Sequence, residues 1–239
     1  HILALVEQYL AVGVVDDALL DDGRLDDVVH LLRHHDGLAE VFSHRLVHDA
    51  TGRSGILIRR FDRYIDEHGI AHRLAAEDAC QLSNRYPSDK YLLTAEQCSE
   101  ALLTQVFSPR IAAPEVFRQF VYAWLTGNGD LHAKNLSIVE NRKGQYELSP
   151  IYDIPSTAPY GDKSMALLLS GKKDGLSRRR FLTFAHNIGV SSRVAEHVLE
   201  EVLTGTEHLA EQAREELPFD SHRMKELLKV LKNRRRSLL

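Results

Sequence analysis

Between Asp130 and Asn135 the chain presents a carboxylate (Asp130), an imidazole (His132), an ammonium (Lys134) and a carboxamide (Asn135). Gly127-Asn128-Gly129 precedes them. Such a run makes a tight, irregular turn that fixes the direction of the side chains after it. Pro150-Ile151-Tyr152-Asp153 follows, across a segment whose length reads as a hairpin that returns Asp153 towards Asn135. Asn135 and Asp153 offer two hard oxygen ligands. That set suits Mg²⁺, which needs few protein ligands when phosphates and water supply the others.

Asp130 stands five residues before Asn135. Base and metal-binding Asn are so spaced in the protein-kinase catalytic loop, His-Arg-Asp-x-x-x-x-Asn, where the base faces a hydroxyl while the amide holds metal on the phosphates. Gly129–Asn135 also fits the lipid-kinase pattern Gly-Asp-x-His-x-x-Asn. Asn, Gly and Asp are common turn residues, so the spacing alone reads as structure. A His, a Lys and a second Asp beyond a hairpin turn the reading towards chemistry.

These residues need elements to carry them. Residues 114–125 read as a helix with Val116, Phe117, Phe120, Val121 and Trp124 on its apolar side, ended by Gly127. Residues 136–139 and 146–148 read as the strands of the hairpin, joined by a polar turn over 141–144. Upstream, 2–12 and 25–35 read as helices. An earlier hairpin spans 45–63 around 49–52 and is the one convincing β region of the N-terminal third. A helix is expected over about 73–84, and another begins at Thr94, where Gln97 completes a capping box. Ser177 reads as the cap of a helix that Gly189 ends, and amphipathic patterns fill 191–215 and 220–237.

The resemblance is specific. Gly127-Asn128-x-Asp130-x-His132-x-Lys134-Asn135-x-Ser137, then Leu148-x-Pro150-x-Tyr152-Asp153, resembles the HipA-type serine/threonine kinases. Residues 57–63, 72–81 with Lys90-Tyr91, and 160–189 extend the similarity, so it covers residues from about 45 to the C-terminus. It implies that Asp130 is the general base, or orients the substrate hydroxyl, and that Asn135 and Asp153 hold Mg²⁺. His132, Ala133 and Lys134 would lie along the phosphates of ATP, with Tyr152 beside them. Arg59 and Phe61 would contact adenine through the backbone, and Asp62 would sit near the ribose. Where this chain has Arg59 the family often has Glu, an exchange that a backbone contact survives. The family also implies a bacterial toxin held by a helix-turn-helix, HipB-like antitoxin, with DNA reached through that antitoxin. The protein substrate implied is a translation component such as an aminoacyl-tRNA synthetase.

The N-terminus departs from that pattern. Residues 1–44 contain no lysine and no Gly-rich loop, whereas these kinases carry a phosphate-binding loop and an ATP-binding Lys there. The chain also starts at His1 rather than Met, so its native start is expected upstream. A separate small N-lobe subunit, as in split members of the family, is the other source of the missing loop.

Composition narrows the remaining classes. The 239 residues carry a formal charge of −4, against binding of nucleic acid through bulk charge. Cys80 and Cys98 form no Cys-x-x-Cys pair, so a disulfide framework is not expected and a cytoplasmic home is the simplest. No apolar run reaches the roughly 18 residues of a membrane span. His34-His35 read as solvated histidines at a helix end, His186 and His197 read as structural, and Trp124 reads as core. The expected architecture is α+β, with an incomplete, partly β N-lobe and hinge strand over 1–63 and a mainly helical catalytic C-lobe over 64–239. An ATP- and Mg²⁺-dependent kinase is the leading reading. The alternatives are a catalytically weak, kinase-shaped binding module and a metal-dependent hydrolase using Asp130, His132 and Asp153.

Overall fold

The computed structural model describes residues 9–11, 44–48, 54–217 and 219–239. β2 (His44–His48) and β3 (Ser54–Arg59) pair antiparallel, as the first hairpin requires, with Arg45 opposite Leu57 and Val47 opposite Gly55. Their expected turn over 49–52 lies outside the described residues, as do the helix expected over 25–35 and the pair His34-His35. The helix expected over 2–12 is corrected where it can be seen. Tyr9–Ala11 is a strand, β1, paired with the other edge of β3. A free edge of β3 offers unpaired N–H and C=O groups, and pairing there overrides local helix preference.

A second hairpin that the sequence did not disclose follows at once: β4 (Arg63–Ile65) and β5 (Ala71–Arg73). Asp66 builds its turn. The Asp66 Oδ1 accepts from the backbone of His68 and Ile70, its Oδ2 meets His72 Nε2 at 2.8 Å, and Gly69 supplies a positive φ of 77°. The helix expected over 73–84 shrinks to α1 (Ala79–Leu82) because β6 (Ala76–Asp78) pairs with β7 (Ser137–Glu140). Asp78 caps α1 in a capping box with Gln81. Asp78 is therefore bound into a helix start.

The helical body then assembles. Thr94 and Gln97 form the expected capping box at α2 (Ala95–Leu103). α3 (Pro109–Thr126) starts five residues earlier than expected, with Pro109 favourably placed in its first turn and Pro114 accommodated inside. Its apolar side is fully engaged: Phe117 and Phe120 pack against Phe181 and Phe184 of α4 (Arg178–Asn187), with Phe120 and Phe184 edge to face at 5.0 Å. Ser177 occupies the cap position of α4 without a capping hydrogen bond from its side chain. The pattern over 191–215 is two helices, α5 (Ser192–Gly205) and α6 (Leu209–Glu216), and α7 (Ser221–Leu238) closes the chain.

Trp124 is buried, as expected of a core residue, and α7 grips it. Its indole N–H donates to Ser237 Oγ at 3.2 Å, and the Arg234 guanidinium lies 4.2 Å from the ring centre. β7 (Ser137–Glu140) and β8 (Tyr146–Leu148) form the expected hairpin and, with β6, a three-stranded antiparallel sheet. The fold is thus mixed α and β, and the end of α3 and the start of β7 bracket the turn that bears Asp130 and Asn135. No helix among the described residues is long and apolar enough to cross a membrane.

Candidate active site

Gly127 stops α3 with a left-handed φ of 78°, its N–H directed back at Ala123 and Trp124. The fully buried Asn128 then accepts the Asp130 N–H on its Oδ1 at 2.8 Å, closing a turn within the turn. Gly129 passes so close to the 157–164 segment that a Cβ would stand 2.4 Å from Thr157 Oγ1 and 2.7 Å from the Ser164 carbonyl. Thr157 Oγ1 accepts the Gly129 N–H at 2.9 Å and donates to the Asp162 carbonyl at 3.0 Å. The turn is fixed from both sides before Asp130 is reached.

Asn135 ties the site together. Its Nδ2 donates to the Asp130 carbonyl and to Asp153 Oδ2, each at 3.0 Å. Both amide hydrogens are thereby used, which leaves Oδ1 as the atom of Asn135 able to coordinate a cation. Asp153 holds a left-handed φ of 53°, uncommon for a residue with a side chain and a form of strain that clusters at functional sites. Burial, and then the neighbouring Asp130 carboxylate, push Asp153 above its ordinary pKa. Two carboxylates held near each other in a half-dry site suit a divalent cation that offsets their repulsion. The oxygen donors of Asn135 and Asp153 therefore fit Mg²⁺.

His132 is buried, with Nε2 3.9 Å from Asp130 Oδ1 and Nδ1 without a protein partner among the described residues. Burial lowers its pKa and Lys90 adds to this, against the pull of Asp130. Ala133 donates its N–H to the Lys90 carbonyl at 3.1 Å, and the Lys134 carbonyl accepts from Tyr152 Oη at 2.7 Å. Tyr152 also shares a short hydrogen bond with Ser137, and burial pushes its hydroxyl up to about 12.

Phe61 stacks on Tyr152 with ring centres 5.6 Å apart. Asp62 is engaged by Arg60, whose Nε lies 2.6 Å from Oδ1, and Arg59 is exposed. Among the described residues no hydrogen bond joins Arg59 or Asp62 to the 130–135 turn. The structure thus brings Asp130, His132, Ala133, Lys134, Asn135, Tyr152 and Asp153 together, with Phe61 beside them. Tyr91 is the site residue that sequence reasoning left without a role. Its hydroxyl donates to Asp130 Oδ1 at 2.8 Å across 39 positions of sequence. A local motif cannot carry that signal.

Comparisons with known proteins show what the chain is similar to. A "Putative kinase Y4mE" of Sinorhizobium fredii is 32% identical over 149 residues, covering 59% of this chain and 35% of that protein. A "Putative kinase" of Haemophilus influenzae is 26% identical over 160 residues, covering 58% of this chain and 46% of that one. The chain therefore spans less than half the length of these curated relatives. Two solved structures share the fold. HipA in a complex of the Shewanella oneidensis toxin–antitoxin system with HipB and operator DNA aligns with a TM-score of 0.70 at 18% identity, over 87% of this chain and 55% of that one. The Helicobacter pylori proinflammatory kinase CtkA aligns with a TM-score of 0.60 at 16% identity, over 90% of this chain and 84% of that one. The HipA-like C-terminal domain model matches residues 28–210, starting upstream of the expected position near 45 and ending before α7. This chain belongs to the family of HipA-like C-terminal domains.

Proposed function

We propose that the chain is the catalytic body of an ATP- and Mg²⁺-dependent kinase that phosphorylates serine or threonine on another protein. The observation that supports this most is the Asn135 side chain, which bridges the backbone of Asp130 to the carboxylate of Asp153. A base, an amide oxygen and a second carboxylate thereby face one small region, as phosphoryl transfer needs.

In this reading Asp130 orients the attacking hydroxyl and accepts its proton at the carboxylate. Asn135 Oδ1 and Asp153 would hold Mg²⁺, which when bound neutralises charge developing on the phosphoryl oxygens. His132, Ala133 and Lys134 would line the phosphates, with Tyr152 beside them. Phe61 and Arg59 would border the adenine and Asp62 the ribose. The stack of Phe61 on Tyr152 is the contact that supports a hinge here. Residues 1–63 would form the N-lobe part and 64–239 the catalytic lobe, with the phosphate loop supplied from outside residues 1–44, for example by a small N-lobe subunit.

The wider role proposed here rests on the resemblance to the family. The chain would act in the cytoplasm as the toxin of a toxin–antitoxin pair, held by a HipB-like helix-turn-helix protein through which DNA is reached. Its substrate would be a translation component such as an aminoacyl-tRNA synthetase. The likeness to HipA solved with HipB and operator DNA supports that choice of partner. The test supplies the full chain, alone and with the products of adjacent reading frames, with γ-labelled ATP, magnesium and a dephosphorylated, heat-inactivated bacterial extract. The expected result is label recovered as phosphoserine or phosphothreonine. No label in any protein under either condition overturns the proposal.

A further inference from the structure

We infer that Tyr91 is a positioning residue for Asp130, holding one carboxylate oxygen so that the other faces the hydroxyl to be phosphorylated. This rests on the kinase reading above and adds to it a residue outside the catalytic turn.

The case begins with what is already fixed. The N–H of Asp130 is held by Asn128 Oδ1 at 2.8 Å and its carbonyl by Asn135 Nδ2 at 3.0 Å. Its backbone is therefore placed, but its carboxylate is not, because the last torsion of an Asp side chain is broad and nearly two-fold. The Tyr91 hydroxyl removes that freedom by donating to Oδ1 at 2.8 Å. No described residue hydrogen-bonds to Oδ2, and the Asp130 side chain retains 36% of its exposure. One oxygen is thus tethered while the other stays open to a protein substrate.

Tyr91 is itself held. The turn Pro87–Asp89 leads into it, and the Lys90 carbonyl accepts the Ala133 N–H at 3.1 Å, joining this segment to the catalytic turn. The ring stands edge-on to His132 at 5.1 Å, and Lys90 Nζ lies 4.9 Å from its centre. Burial, and then the hydrogen bond to Asp130, push the hydroxyl up to about 12, so it remains a donor wherever the enzyme works. The ring is 44% exposed. It therefore adds little to the core, and Tyr91→Phe keeps every ring contact while deleting the donor alone.

The experiment compares the full wild-type chain with Tyr91→Phe, using γ-labelled ATP, magnesium and the dephosphorylated extract. Initial rates over a range of ATP give kcat and KM separately, and a melting curve reports folding. The expected result is a fall in kcat of about tenfold, the scale of one lost hydrogen bond to a charged group. KM for ATP and the melting midpoint should stay within error of wild type. A merely structural role would lower the midpoint or raise KM, and either pattern with kcat intact overturns the inference. A rise in kcat overturns it too, by showing the hydroxyl to be a block on the base. Wild type that transfers label beside an equally active Tyr91→Phe removes the Tyr91 inference alone. Wild type without transfer removes the kinase reading and this inference together.

Discussion

At the scale of single residues the site is governed by close approach. Gly129 is the sharpest case, since any Cβ there would press on the Ser164 backbone as well as on Thr157 Oγ1. Gly129→Ala is expected to cost roughly 1–3 kcal/mol, the usual penalty of overpacking. Because the strain falls next to Asp130, phosphotransfer should drop by more than stability alone explains. Denaturant unfolding and initial rates on the same sample check this, and an alanine variant equal to wild type in both would contradict it. The grouping of side chains at this scale was legible where it is local. Asp130, Asn135 and Asp153 could be read from spacing because one turn and one short hairpin join them. Tyr91 could not, since its contact with Asp130 depends on how two distant loops pack. Arg59 and Asp62 came only from resemblance, and Asp62 is engaged by Arg60.

Elements bring their own tests. Arg234 of α7 is buried, donating to the Trp124 carbonyl at 2.9 Å and the Lys163 carbonyl at 2.5 Å. Burial lowers its pKa to about 10, so it is still charged at neutral pH. The guanidinium thus pins the last turn of α3, next to the catalytic turn, to a helix outside the family match. Arg234→Met should cost about 2 kcal/mol by leaving carbonyls short of donors. A lower urea midpoint at unchanged slope would show it. A second test concerns the turn between β4 and β5. The hydrogen bond from His72, and those from the Ile70 and His68 backbone, hold Asp66 below its ordinary value of 3.8. A depressed carboxylate stabilises the fold fully above 3.8 and loses that contribution as pH falls through its lower folded value. Amide protection at His68 and Ile70 should therefore hold down to pH 3.8 and be lost as pH falls through the lower folded value of Asp66. Unchanged protection across that window would contradict the turn. Elements held by local chemistry were readable: the capping box at Thr94, Gly127 and the hairpins β2–β3 and β7–β8. Those decided by tertiary pairing were not. Strands Tyr9–Ala11 and Ala76–Asp78 carry helix-compatible sequence and become strands because a neighbouring edge is open. The start of α3 was hidden by Pro114, which a long, well-packed helix tolerates.

For the whole molecule, the described residues place Asp130, Asn135 and Asp153 at the junction of a helical body and a small sheet. Residues 1–44 supply no lysine for the phosphates. Nucleotide affinity is therefore expected to rise when the product of an adjacent reading frame is co-expressed and co-purified with the chain. Calorimetric titration with ATP and magnesium measures it, and equal affinity with and without that product would contradict a separate subunit as the source of the phosphate loop. The mixed architecture was legible because helical and alternating patterns occupy separate stretches of sequence. The most direct measurement of the central claim is label transfer from γ-labelled ATP by wild type, Asp130→Asn, Asn135→Ala and Asp153→Asn. Asp130→Asn should still bind nucleotide but transfer less than about a hundredth as fast, the range of a lost general base. Asn135→Ala and Asp153→Asn should lose transfer and its response to magnesium together. Full transfer by Asn135→Ala, or hydrolysis that proceeds without nucleotide, would contradict a kinase and point to a metal-dependent hydrolase instead.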